Sequence, residues 1–152
     1  MTLLQRAADI AAEIDRRCRT ITRDAGAETD VGVRVLRGRR KIDDDKVPCV
    51  VIVEGLDAPV MGDSKRSATA KVRQGYVLVG YDKCDPDHPN DKAHAVIRDF
   101  KRAIFGDGTT LGERVMSVTY KGRDIGPRGD GVSIVSATVE FEVEFSERLD
   151  QP

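Results

Sequence analysis

Tryptophan is absent from this 152-residue chain, and three tyrosines and four phenylalanines are its only aromatic side chains. A single-strand nucleic-acid platform built from stacked rings therefore has little to work with. The three cysteines, Cys18, Cys49 and Cys84, cannot all pair within one chain, and their scattered spacing fits no disulfide framework, which predicts a reducing compartment. Only two histidines occur, so an activated nucleophile has few bases to draw on; Ser133 and Ser136 lie far from both in sequence. A net charge of −1 lacks the basic excess of a dedicated DNA-binding domain, although a local basic patch stays open. No apolar run approaches the roughly 18 residues that a membrane span needs. The opening "MTLLQRAAD" has Gln5, Arg6 and Asp9 where a signal peptide needs apolar residues, so the expectation is a soluble chain made in a cytoplasm.

Charge is plentiful, at 34% of residues, which leaves Val, Ile, Ala and Leu to build one core in a single domain spanning 1–152. The clearest pattern is "VSATVEFEVEF". Val135, Ala137, Val139, Phe141, Val143 and Phe145 point one way, and Ser136, Thr138, Glu140, Glu142 and Glu144 point the other. A period of two is the signature of a strand with one buried and one polar face. What meets the three glutamates is left open between water, a neighbouring subunit and a channel.

Apolar residues at three- and four-residue steps predict an amphipathic helix over 2–23, with Thr2 as cap, Gly26 as stop, and Glu13, Arg16 and Arg17 on its polar side. "TDVGVRVL" predicts a strand with Val31, Val33 and Val35 on one face, and "VPCVVIVE" a central strand covered on both sides. Residues 55–70 show no period and predict a long, mobile connection. "KVRQGYVLVGY" predicts a strand bulged at Gly75. A second helix starts after "CDPDHPND", capped by Asn90, buries Ala93, Val96, Ile97, Phe100 and Ile104, and ends at Gly106. "RVMSVTY" predicts a short strand, followed by a loop over 121–133. The expected architecture is α+β, a mainly antiparallel β-sheet with two α-helices packed on one face.

Candidate chemistry is thin. Cys84, Asp85, Asp87, His88 and His94 cluster without zinc-site spacing, and two prolines break a calcium-loop pattern. "GDGTTLG" at 106–112 follows a helix instead of opening one and lacks a Lys-Ser or Lys-Thr pair, so a helix stop and turn accounts for it better than a phosphate loop. Arg34, Arg37, Arg39 and Arg40 form a basic run that is either a solvated strand end or a surface for an acidic partner. "DDD" at 43–45 follows it at once.

"TDVGVRVLRGRR", "DPDHPNDKAHAVIRDFKRAIFGDG" and "YKGRDIGPRGDGVSIVSATVEFEVEFSE" together resemble the tail terminator (tail completion, minor tail) proteins of long-tailed bacteriophages. The likeness covers most of the chain except 55–70, and the order and spacing of the motifs carry it. The resemblance implies a structural virion protein at the head-proximal end of the tail, with no enzymatic activity, cofactor or metal. It implies a homo-hexameric ring that caps the tail tube and meets the tail tube protein and head–tail connector proteins. DNA passes through such a ring without specific binding, and no membrane is involved. A head–tail joining protein is the close variant of this expectation, and a small nucleic-acid-binding module is the distant one. Within this frame Arg34, Arg37, Arg39 and Arg40 are candidate subunit contacts. Glu140, Glu142 and Glu144 are candidates for the channel wall or a polar sheet face. Met61, Asp63, Lys65, Arg66, Arg123, Arg128 and Asp130 are candidates for partner-binding loops.

Overall fold

A computed structural model describes residues 5–60, 68–126 and 132–150. The chain runs α1 (Ala7–Arg19), β1 (Val35–Arg37), β2 (Cys49–Pro59), β3 (Thr69–Lys83), α2 (Pro89–Phe105), β4 (Ser117–Ile125) and β5 (Ile134–Arg148), with short 3-10 turns at Arg23–Ala25, Val31–Val33 and Asp44–Lys46. The fold is α+β, as expected. The strands form one sheet in the order β1-β2-β3-β5-β4. Every neighbouring pair is antiparallel except β1 and β2, which are parallel, so the sheet is mixed.

The last strand takes a central place. β5 pairs with β3 from Ile134 to Arg148 and with β4 on its other side. All six of its alternating apolar residues, Val135 to Phe145, are buried. Each large side chain so buried contributes about 1.5–3 kcal/mol before the entropy of ordering is subtracted. Across the β2–β3 and β3–β5 ladders, Val50, Ile52, Leu78 and Tyr76 share this face, and Tyr76 stacks on Phe141 at 5.5 Å.

Both helices supply the other half of the same core: Ile10, Ile14 and Cys18 from α1, and Ala93, Val96, Ile97, Phe100 and Ile104 from α2. α2 comes close because β3 has Gly80 beneath it. A Cβ there would lie 2.5 Å from Val96 Cγ1 and 2.8 Å from Phe100 Cζ.

Several boundaries differ from the sequence reading. α1 ends at Arg19, where Thr20 turns its hydroxyl onto the Arg17 carbonyl, and Gly26 caps the following 3-10 turn in a left-handed conformation. Thr2 lies outside the described residues. Val31–Val33 is not a strand: Val31 is buried, but Val33 is 61% exposed. The cause is a close tertiary contact. Gly32 donates to the Ile21 carbonyl, and a Cβ on it would sit 2.2 Å from the Cys18 carbonyl oxygen. This stretch is pressed against the end of α1 and joins the sheet only at Val35.

The irregularity expected at Gly75 lies on its partner. Gly55 and Leu56 of β2 stand opposite the single Gly75, which keeps its register with Glu142. β2 runs on to Pro59 and β3 begins at Thr69, so the expected 55–70 connection is strand at its two ends, and 61–67 lie outside the described residues. α2 is capped by His88, not Asn90, because Pro89 takes the first helical position, where its fixed φ and missing N–H are best tolerated. β4 continues to Ile125, which shortens the loop expected over 121–133.

Gly32→Ala is expected to cost at least about 2 kcal/mol, because backbone must move to admit one carbon. Gly75→Ala, where an added Cβ meets nothing within 4 Å, is expected to stay within about 0.5 kcal/mol. Urea midpoints of the two variants check this; equal midpoints contradict the docking of Gly32.

Candidate functional site

Alternation on β5 leaves the second face of the sheet polar where the first is apolar. On it Glu140 lies between Val77 and Gly122, Glu142 between Gly75 and Thr119, and Glu144 between Arg73 and Ser117. Arg73 Nε reaches Glu144 at 3.3 Å. Among the described residues Glu140 and Glu142 have no ion-pair partner, since none of their cross-strand neighbours carries charge. Two carboxylates two residues apart on one strand face repel each other, and no residue directly opposite either of them in the ladder carries a compensating charge.

The same face changes character toward β2. Cys49, Val51 and Val53 are buried yet stand apart from the helix-side core, consistent with their outward place in the ladder. "VPCVVIVE" is thus covered on both sides in its first half, as expected, whereas Glu54 to Pro59 are exposed.

The arginines sit elsewhere. Arg37 ends β1, an outer strand of the sheet, and pairs with Glu54 at 2.9 Å. Arg40 donates to the Arg37 carbonyl, Arg34 to the Asp45 carbonyl at 3.5 Å, and Arg39 has no partner among the described residues. β2 and β3 separate this group from the glutamates on β5. The two charged sets therefore belong to different parts of one chain's surface. Arg123, expected in a loop, is an exposed strand residue paired with Val139. Met61, Asp63, Lys65, Arg66, Arg128 and Asp130 lie outside the described residues.

The turn before α2 is held by backbone geometry: the Asp87 N–H donates to Asp85 Oδ1 at 2.9 Å and the His88 N–H to the Asp85 carbonyl at 3.0 Å. Among the described residues no three His, Cys, Asp or Glu side chains are arranged to hold a metal ion. Among the described residues no helix is long and apolar enough to cross a membrane. Burial pushes the Cys18 thiol up to about 12, so it stays protonated and unreactive at neutral pH.

Sequence reasoning missed a second charged site, where the two helices meet. Glu13 and Arg17, assigned to the polar side of α1, are both buried. Arg17 places one guanidinium nitrogen 2.8 Å from each carboxylate oxygen of Asp107 and donates to the Ala103 carbonyl at 3.1 Å, tying α1 to the end of α2. Glu13 accepts from Arg16 at 2.9 Å and Arg17 at 3.1 Å, and Arg114 stands 3.6 Å away. One buried carboxylate thus serves three guanidinium groups. Hydrogen bonding from Arg16, helped by Arg17 and opposed by burial, holds Glu13 down to about 2. The one available signal was the Glu13–Arg17 spacing of four beside the Ile10–Ile14 stripe.

Next to this network "GDGTTLG" makes a helix stop and turn, with Leu111, Gly112 and Glu113 all at positive φ (48°, 67° and 68°). Positive φ costs Leu and Glu about 1–3 kcal/mol each. Burial of the Leu111 side chain and two bonds to Thr110, from Glu113 N to Oγ1 and from Arg114 N to the carbonyl, hold it. Further back along the same face of α2, Asp99 is fully buried and accepts from the Glu28 N–H at 3.0 Å and from the Thr29 N–H and hydroxyl at 2.8 Å each. It clamps the segment after α1 to the second helix. A cavity of about 430 Å³ opens between these two polar anchors, lined by Arg16, Arg17, Thr20, Asp99, Arg102 and Asp107 among others.

Neither a family model nor a curated protein matches the chain.

The depressed Glu13 carboxyl sets a pH dependence. Because its folded-state value lies below the ordinary one near 4.5, its contribution is fully present above that pH and is lost as pH falls toward 2. The contribution at neutral pH is at most about 3 kcal/mol. Denaturation midpoints between pH 6 and pH 2 are expected to fall less steeply in Glu13→Gln than in the native chain; parallel curves contradict this.

Proposed function

We propose that this chain is a structural protein of a long-tailed phage, a tail terminator whose copies close into a ring on the end of the tail tube. The ring stops tube growth and offers the surface that the head joins. The observation that carries this reading is the open face of the sheet, with Glu140 and Glu142 uncompensated near its middle. A carboxylate stripe is a poor surface for binding nucleic acid and a good one for letting it pass. Phosphates are repelled, whereas a basic wall would release counterions and hold the DNA. In the proposed ring this face turns toward the channel.

The placement of the other charged set supports the same reading. A ring closes through heterologous contacts, in which two different patches of each copy meet. Arg34, Arg39 and Arg40 at the β1 end are separated from the glutamates by β2 and β3, so they can meet a neighbouring copy while the stripe faces the channel. The motif order that resembles tail terminators supports the class of protein, and the α+β fold is compatible with it.

Replacing Glu140, Glu142 and Glu144 together by Lys tests the channel assignment. Expected are rings and tails of normal appearance with DNA delivery into cells reduced at least tenfold, on the order of the effect of adding several phosphate contacts. Unaltered delivery contradicts the assignment. Failure of rings to close moves the stripe to a subunit contact.

A further inference from the structure

We infer that the cleft between the ends of α1 and α2 receives the acidic turn Asp43–Asp45 of a second copy of this chain. The inference rests on the ring reading and names one of its contacts.

The cleft is short of negative charge. Its lining includes three arginines, Arg16, Arg17 and Arg102, against two carboxylates, Asp99 and Asp107. Adding the residues just behind it does not change the balance, since Glu13 and Arg114 contribute one charge of each sign. The excess is held loosely. Arg17 is buried and committed to Asp107 and Glu13, and Arg16 also donates to Glu13, but the side chains of Arg16 and Arg102 are 62% and 59% exposed and keep further N–H donors for an incoming group. Arg102 stands 3.6 Å from Asp99, whose oxygens already accept three shorter bonds from Glu28 and Thr29. Its guanidinium therefore has donors to spare. A further carboxylate placed between Arg16 and Arg102 completes the charge balance with charge-assisted hydrogen bonds.

The chain itself carries a group of that chemistry with nothing to hold it. Asp43, Asp44 and Asp45 are exposed around the 3-10 turn on the β1–β2 connection. Among the described residues none of their side chains makes a hydrogen bond or ion pair, although the basic β1 end is adjacent. The nearest contact, Arg34 to Asp45, goes to the backbone carbonyl. Three neighbouring carboxylates repel one another, and a basic cleft relieves that repulsion. A space of about 430 Å³ suits the tip of a tight turn. Donor and acceptor sit on different elements of the fold, so the contact is head-to-tail and repeats from copy to copy, as ring closure requires.

Charge exchange tests the contact. The turn variant D43K/D44K/D45K and the cleft variant R16E/R102E are each expected to lose self-association by at least tenfold in light scattering. The loss should shrink at high salt, as it does for rim charges. Mixed in equal amounts, the two are expected to recover the native mass, because each lysine turn finds a glutamate cleft and each aspartate turn an arginine cleft. The neutral variants D43N/D44N/D45N and R16Q/R102Q, which disturb the fold least, are expected to weaken association without rescuing each other. Native association in the neutral turn variant, or reversal variants that melt normally and stay apart when mixed, overturns this contact and leaves the ring standing. A native chain that stays single at every concentration overturns both.

Discussion

The structure depends on one strand having two faces of opposite chemistry. β5 is hydrogen-bonded on both edges, so its register is fixed, and a period of two then commits every other side chain to one side. Six apolar residues go to the core that both helices complete, and three glutamates go to the open face. A slip by one residue would exchange the two sets, burying the carboxylates and exposing Phe141 and Phe145. The charged surface is therefore as strongly specified as the core: the same hydrogen bonds place both.

The helical layer is positioned by close approach and by buried charge. Gly80 lets α2 lie directly on β3, and Gly32 lets the segment after α1 press against that helix's end. Arg17 and Asp99 then fasten the free ends, Arg17 to Asp107 at the end of α2 and Asp99 to the backbone of Glu28 and Thr29. Such contacts contribute less net stability than their short distances suggest, because each takes a charge, Arg17 or Asp99, out of water. Their value lies in geometry: they set the width of the cleft between the helix ends and leave Arg16 and Arg102 at its rim.

Much of the fold could be read from local pattern, where the burying partner is implied by periodicity. The stripe on α2, the alternation on β5 and the α+β class are of this kind. What failed depended on contacts remote in sequence. Val33 looks like a strand residue until Gly32 is seen to dock on the Cys18 and Ile21 carbonyls. Glu13 and Arg17 belong to the polar side of an isolated helix, and only the end of α2, about ninety residues on, buries them. The bulge was expected at a glycine, but a bulge belongs to a pair of strands, and Gly55 and Leu56 of the partner supply the extra residue. Of the candidate site, the glutamate stripe was legible as a pattern and the arginine run as a composition. The cleft was not, because its lining comes from α1, the segment after it, and α2 with its C-terminal end.

These features describe a subunit that has satisfied its core and left charge unsatisfied on three surfaces: an acidic sheet face, an acidic turn and a basic cleft. The ring we propose uses all three, the face toward the channel and the other two between neighbours. Mass measurement with negative-stain imaging of the purified chain at low and high concentration tests this most directly. Closed rings with a central hole, growing in population with concentration and dispersing in high salt, are the expected result. A species of one chain's mass under every condition, including beside completed tail tubes, contradicts the account.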